Sequence, residues 1–158
     1  AIGVTTNLIT GISTVSVTVG DLIQNTNYIA GTKVASVVST SSVTADRDST
    51  NTVAATSQNV KFLGLTTAYT SASGTKSILI GGTFANNTNS QVEVTVHVYD
   101  NSATKIGALA SRVPIPNGSS FVISDAGKTV LESLDAIRVY CDTANALDVN
   151  LGILKGVS

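Results

Sequence analysis

Gln91-Val92-Glu93-Val94-Thr95-Val96-His97-Val98-Tyr99 sets four valines at every second position. Side chains alternate between the two faces of a strand, so Val92, Val94, Val96 and Val98 point to one side and Glu93, Thr95, His97 and Tyr99 to the other. The first set predicts a core face and the second an outward face. The same logic recurs near the end of the chain. Leu147, Val149, Leu151 and Ile153 alternate with Asp148, Asn150, Gly152 and Leu154, which pins the register, because a one-residue slip would expose every aliphatic side chain.

Between and around these two stretches the chain predicts strands at residues 60–69, 76–85, 91–99, 105–115, 120–124, 129–131, 135–141 and 147–154. Turn residues separate them: Ala72-Ser73-Gly74, Asn86-Asn87-Thr88-Asn89, Asp100-Asn101-Ser102, Pro116-Asn117-Gly118 and Asp125-Ala126-Gly127. Asn117-Gly118 suits a type I′ hairpin. Gly81-Gly82 inside a strand predicts a bulge or a sheet corner. No repeat of fixed period points to a propeller or solenoid. The expected fold is all-β: an antiparallel β-sandwich or jelly-roll-like domain over residues 59–158.

Residues 1–58 differ in texture. Their charged residues are Asp21, Lys33, Asp46, Arg47 and Asp48, and Ser and Thr make up about a third of them. Pieces such as residues 13–19 and 33–38 have β-propensity but few large apolar residues. They read as an extended N-terminal arm that adds strands to a partner. The Ser/Thr/Asn-rich tract of residues 39–57 reads as a polar linker joining the arm to the sandwich.

Composition narrows the function. The 158-residue chain has a net charge of −1 and only 12% charged residues, about half the usual fraction. No basic patch suits a phosphate backbone or a lipid surface, so nucleic acid and membrane are poor partners. A weakly charged surface rich in Ser, Thr, Asn and Gly favours self-association. No charged segment precedes an apolar one near Ala1, and no run approaches the ~20 apolar residues of a membrane-spanning helix. Ala1 is compatible with loss of an initiator methionine or with upstream processing.

Residues that could carry chemistry are few. A catalytic triad would need His97, the one histidine, yet it sits on a regular strand and no Gly-x-Ser-x-Gly elbow accompanies it. One Cys and one His do not make a closed zinc site. Cys141, inside Ile137-Arg138-Val139-Tyr140-Cys141, reads as a small apolar strand residue. Asp46 and Asp48 have the alternate spacing of calcium ligands but lack the glycine and closing glutamate of an EF-hand loop. Asp142, Asp148 and Asn150 read as ordinary turn and strand usage, and no phosphate-cradling Gly-rich loop is present. Glu93 and Glu132, the two glutamates, show no spacing that marks a glycosidase pair. Tyr99 and Tyr140 could serve as sugar platforms, but cross-strand packing accounts for them. Asn86-Asn87-Thr88 and Asn117-Gly118-Ser119 match the N-glycosylation pattern, a common coincidence in such a chain. No catalytic, cofactor-binding or metal-binding residue is assigned, and no enzyme is expected.

Residues 69–88, Tyr69-Thr70-Ser71-Ala72-Ser73-Gly74-Thr75-Lys76 through Gly81-Gly82-Thr83-Phe84-Ala85-Asn86-Asn87-Thr88, followed by the valine strand, resemble accessory virion proteins of tailed bacteriophages. So do Val130-Leu131-Glu132-Ser133-Leu134-Asp135-Ala136-Ile137-Arg138-Val139-Tyr140 and Ala146-Leu147-Asp148-Val149. Related endings often carry Gly-Asp where this chain has Leu134-Asp135. The resemblance covers residues 60–154 and implies a small sandwich or jelly roll placed on a capsid, neck or tail. It implies a capsid decoration or cement protein in the virion, with the major capsid protein or other virion proteins as partners. A tail or head-fibre component is the alternative within that class, and a carbohydrate-binding or adhesin-like module the alternative outside it. An arm without its own core further predicts a homo-oligomer, with a trimer matching the three-fold positions of an icosahedral shell.

Overall fold

The computed structural model describes residues 1–124 and 128–157. The turn expected at Asp125-Ala126-Gly127 lies outside the described residues. The chain divides into two compact units, Ala1–Leu65 and Thr66–Ser158.

The first unit corrects the expectation of an extended arm. It has a core of its own, formed by Ile2, Ile9, Ile23, Tyr28, Val34, Val43 and Ala45, with Ile12, Val17, Ala55, Val60 and Phe62 packed against it. Strands β1 (Leu8–Thr10), β4 (Ser42–Ala45) and β3 (Val34–Ser39) form an antiparallel sheet in that order, and β2 (Leu22–Gln24) pairs with β5 (Lys61–Leu63). The tract expected to be a linker therefore contains a central strand. Its Val43 and Ala45 are wholly buried between flanking partners, so two small aliphatic residues suffice where neighbours close over them. Residues 13–19, expected to be β-like, instead make turns. There the buried Asp21 carboxylate accepts from the Thr18 N–H and hydroxyl, both at 2.8 Å.

Polar groups sew this unit together where aliphatic volume is scarce. Ile2 and Ala55 exchange backbone hydrogen bonds at 2.9 Å. Buried Ser49 donates to the Gly3 carbonyl at 3.1 Å and accepts from the Thr6 N–H at 3.2 Å. Tyr28 donates its hydroxyl to the Thr6 carbonyl at 3.1 Å. Burial, and then the charge of Asp48, push the Tyr28 phenol from 10.0 up to about 12.

The second unit is a β-sandwich. One sheet runs β6 (Thr66–Thr70), β12 (Ala136–Cys141), β8 (Val92–Asp100), β9 (Lys105–Ile115). The other is built on β7 (Lys76–Asn86), which carries β13 (Leu147–Val157) along one edge and β10 (Ser120–Ile123) and β11 (Thr129–Leu131) end to end along the other. All pairings are antiparallel. Val92, Val94 and Val96 of β8 meet Leu79 and Phe84 of β7, Leu131 of β11 and Ile137 and Val139 of β12 in the core. The alternation of the valine strand thus places its first face as expected. Each such side chain contributes roughly 1.5–3 kcal/mol on burial.

The unit boundary cuts the strand expected at residues 60–69. Gly64 and Leu65 interrupt it, so β5 pairs within the first unit and β6 within the second. The Gly81-Gly82 irregularity is present as a register shift, where Gly152 opposes Gly81 and Ile153 opposes Leu79. A Cβ on Gly82 would lie 2.7 Å from Leu151 Cδ2, and one on Gly81 would lie 2.9 Å from the Ile123 carbonyl oxygen. The Ile123 backbone therefore requires glycine at 81, whereas at 82 the close atom is the mobile end of a leucine side chain. The Asn117-Gly118 turn is not a type I′ hairpin. Only Gly118 is left-handed, at φ 70°, and the Ser119 N–H donates to the Pro116 carbonyl at 3.1 Å, which suits a type II turn. It carries the chain from β9 in one sheet to β10 in the other.

Two outcomes test these cores. Val96→Asp places a carboxylate in the dry layer of the sandwich and should cost about 3 kcal/mol or more, read as a lowered midpoint in a denaturant melt. Tyr28 should ionise near pH 12 rather than 10.0 in an ultraviolet pH titration. Its raised value means that the folded state favours the neutral phenol, so this contribution to stability is complete below pH 10 and is lost as pH rises towards 12.

Candidate functional site

The second face of β8, expected to point outward, is covered. Thr95 and His97 are buried, and Tyr140 opposite them is 1% exposed. Side chains of the neighbouring strands pack side by side on this face. The Arg138 guanidinium lies 3.6 Å from the centroid of the Tyr99 ring. His97 meets Tyr140 edge-on, with centroids 5.3 Å apart. Arg112 donates its N–H to Thr95 Oγ1 at 3.0 Å and its Nε to Glu93 at 3.1 Å. Arg112 stands at φ 51° in the break of register between β8 and β9, and the bulge turns its guanidinium back across the sheet. His97 thus stands on the face opposite the valines, as expected, but buried in contact with Tyr140 rather than turned to solvent.

The other residues singled out in the sequence are dispersed. Glu93 pairs with Arg112, and Glu132 with Lys76 at 3.0 Å on the opposite sheet. Asp142 accepts from the Glu93 N–H at 3.0 Å, whereas Asp148 is exposed on β13. Asp46 accepts from the Lys33 N–H at 2.9 Å and, with Asp48, is exposed. Cys141 packs against the sandwich core, and burial pushes its thiol up, so little thiolate forms near neutral pH. Asn86 is buried and structural: its amide donates to the carbonyls of Ser90 at 2.7 Å, Ile115 at 2.9 Å and Pro116 at 3.2 Å. Among the described residues no group of three or more His, Cys, Asp or Glu is placed to hold a metal ion. Among them, too, no helix is long and apolar enough to cross a membrane.

The sequence reading missed an apolar patch on the outer face of the β7 sheet. Val130 of β11 and Leu154 of β13 both stand opposite Ile78 of β7, so the three share one face in a row across three strands. Val130 and Leu154 are 54% and 50% exposed. Ile80 lies beside the row, over the gap left by Gly152, and Val122 stands opposite Thr83 on the same sheet. The Lys76–Glu132 ion pair borders the row at one end. A signal was present in the sequence: Val130, Leu154 and Ile80 are the off-phase aliphatic residues of their strands.

Leu134 also gains meaning. It occupies the third position of the Glu132–Asp135 turn at φ 67°, closed by the Asp135 N–H to the Glu132 carbonyl at 3.2 Å. Glycine takes that conformation without strain. The buried Asp135 carboxylate holds the turn by accepting from the Asn101 and Glu132 N–H groups, both at 2.9 Å.

No known protein family matches the chain, and none of the curated proteins or solved structures compared with it matches either.

Leu134→Gly should leave the fold intact and raise stability by about 0.5 kcal/mol, since relief of left-handed strain exceeds the added freedom of the unfolded chain. Asp135→Ala should cost about 2–3 kcal/mol, because two backbone donors lose a charged acceptor. Chemical denaturation of both variants checks the opposite signs.

Proposed function

We propose that this chain is a virion structural protein, a capsid decoration or cement protein that attaches to the particle through its β-sandwich surface. The observation that carries the reading is the row Val130–Ile78–Leu154 with Ile80 beside it, an exposed aliphatic patch bordered by an ion pair. Contiguous apolar surface of this kind marks a protein contact. The low charge of the chain supports attachment by packing and backbone pairing rather than by ion pairs. The likeness of residues 60–154 to accessory virion proteins adds the particle as the setting. Sugar binding is less well supported, because Arg138 covers Tyr99 and Tyr140 is buried.

Two measurements test this. The protein should be found by mass spectrometry in purified virus particles. Purified protein should also rebind particles that lack it, with little dependence on ionic strength. The double variant Val130→Asp and Leu154→Asp should bind at least about tenfold more weakly, with an unchanged thermal melt. Absence from particles, or wild-type binding by the folded double variant, overturns the reading.

A further inference from the structure

We infer that β13 is a self-association edge, through which two copies of the chain join their β7 sheets by antiparallel β13–β13 pairing about a two-fold axis at Leu151. This goes beyond the virion reading and stands without it.

Of the sheet edges in the sandwich, β13 is the longest without a proline, and the register shift between its Gly152 and Ile153 places the extra residue, Ile80, on β7 rather than on β13. It is an eleven-residue strand paired on one side with β7, and no described strand pairs with its other side. Its outer backbone donors and acceptors are therefore open to another strand. The edges of the sandwich that compare with it are defended. β9 carries Pro114 and the register breaks around the left-handed Arg112, and β6, β10 and β11 are five, four and three residues long. β13 has no proline, and its charges, Asp148 and Lys155, stand near its ends.

The sequence of β13 fits a second copy of itself. The stretch from Leu147 to Lys155 precedes the left-handed Gly156, where the register shifts, and its midpoint is Leu151. An antiparallel two-fold pair must keep each residue on the same face in both copies, so residues are paired whose numbers sum to an even value. Centring on Leu151 sets Leu151 against its own mate and Val149 against Ile153. On the core-facing side Val149, Leu151 and Ile153 form an aliphatic row across the two copies, with Leu147 against Lys155 at each end. Val149 is 38% exposed in the single chain, and Leu151 and Ile153 are only partly buried at the rim of the core, so the pairing covers what the single chain leaves open. On the outer side Asp148 meets Leu154, and like charges are nowhere opposed. Moving the centre to Gly152 would set Val149 against Lys155 and shorten the aliphatic row, and moving it to Asn150 would cut the paired stretch from residues 147–155 to residues 147–153. Self-pairing of this kind yields dimers, in place of the trimer expected from the sequence.

Crosslinking of the full chain in a Cys141→Ser background tests the register. In an antiparallel pair, directly opposed Cα atoms lie about 4.5–5.5 Å apart, within disulfide range. Leu151→Cys should form a covalent dimer on mild oxidation. Asn150→Cys, whose mate is displaced by two residues, and Val130→Cys, on the opposite edge of the same sheet, should not. In parallel, Val149→Lys should weaken the dimer at least about tenfold in sedimentation equilibrium, with an unaltered melt, while Val130→Lys leaves it unchanged. A strict monomer at several hundred micromolar overturns the inference. So does crosslinking at Val130→Cys as efficient as at Leu151→Cys, or a dimer indifferent to Val149→Lys.

Discussion

Val92, Val94 and Val96 of β8 and Leu79 and Phe84 of β7 are wholly buried in one aliphatic layer, and both sheets of the sandwich take their register from it. Sliding either central strand by one residue would put Glu93, Thr95 and His97, or Ile78 and Ile80, into that layer. Gly81 follows from the same constraint: β7 can lie against β10 only because that glycine leaves room for the Ile123 carbonyl. Asn86 then closes the end of the layer, tying the start of β8 and the β9–β10 turn to the end of β7 through one buried amide. Because the interior is committed in this way, function has to be sought on faces and edges, at the off-phase aliphatics and along β13.

A chain with so few charges satisfies its buried polar atoms mainly with hydroxyls, amides and carboxylates turned onto backbone. Asp21, Ser49, Asn86 and Asp135 are all buried and all bond to main-chain groups. Hydrogen bonds of this kind add modest net stability but are costly to leave unmade, so they fix local geometry more than they drive folding. They explain how residues 1–65 hold a fold around a small core.

Much of the sandwich was legible in the sequence because its strands alternate strongly. The observed β7, β8, β9, β12 and β13 begin within a residue of their expected starts. The first unit was not, for a physical reason: its core residues, Ile2, Ile9, Ile23, Tyr28, Val34 and Val43, are spread so widely that no local window shows a period, and what joins them is tertiary bonding by Ser49, Asp21 and the Ile2–Ala55 bridge. His97 stands on the face opposite the valines as read, but alternation tells which residues share a face and not whether that face is exposed, and His97 is buried there beside Tyr140. The apolar row was missed for a related reason, since Val130, Ile78 and Leu154 come together only through the pairing of three strands distant in sequence.

The central claim is that the chain is two β-units, each with a core of its own. Residue-resolved hydrogen exchange on the full chain tests it most directly. The account predicts slow exchange at the paired amides of β4 in the first unit as well as at those of β7, β8 and β12 in the second. Exchange throughout residues 1–65 at the rate of an unstructured chain, with protection confined to the sandwich, would contradict it.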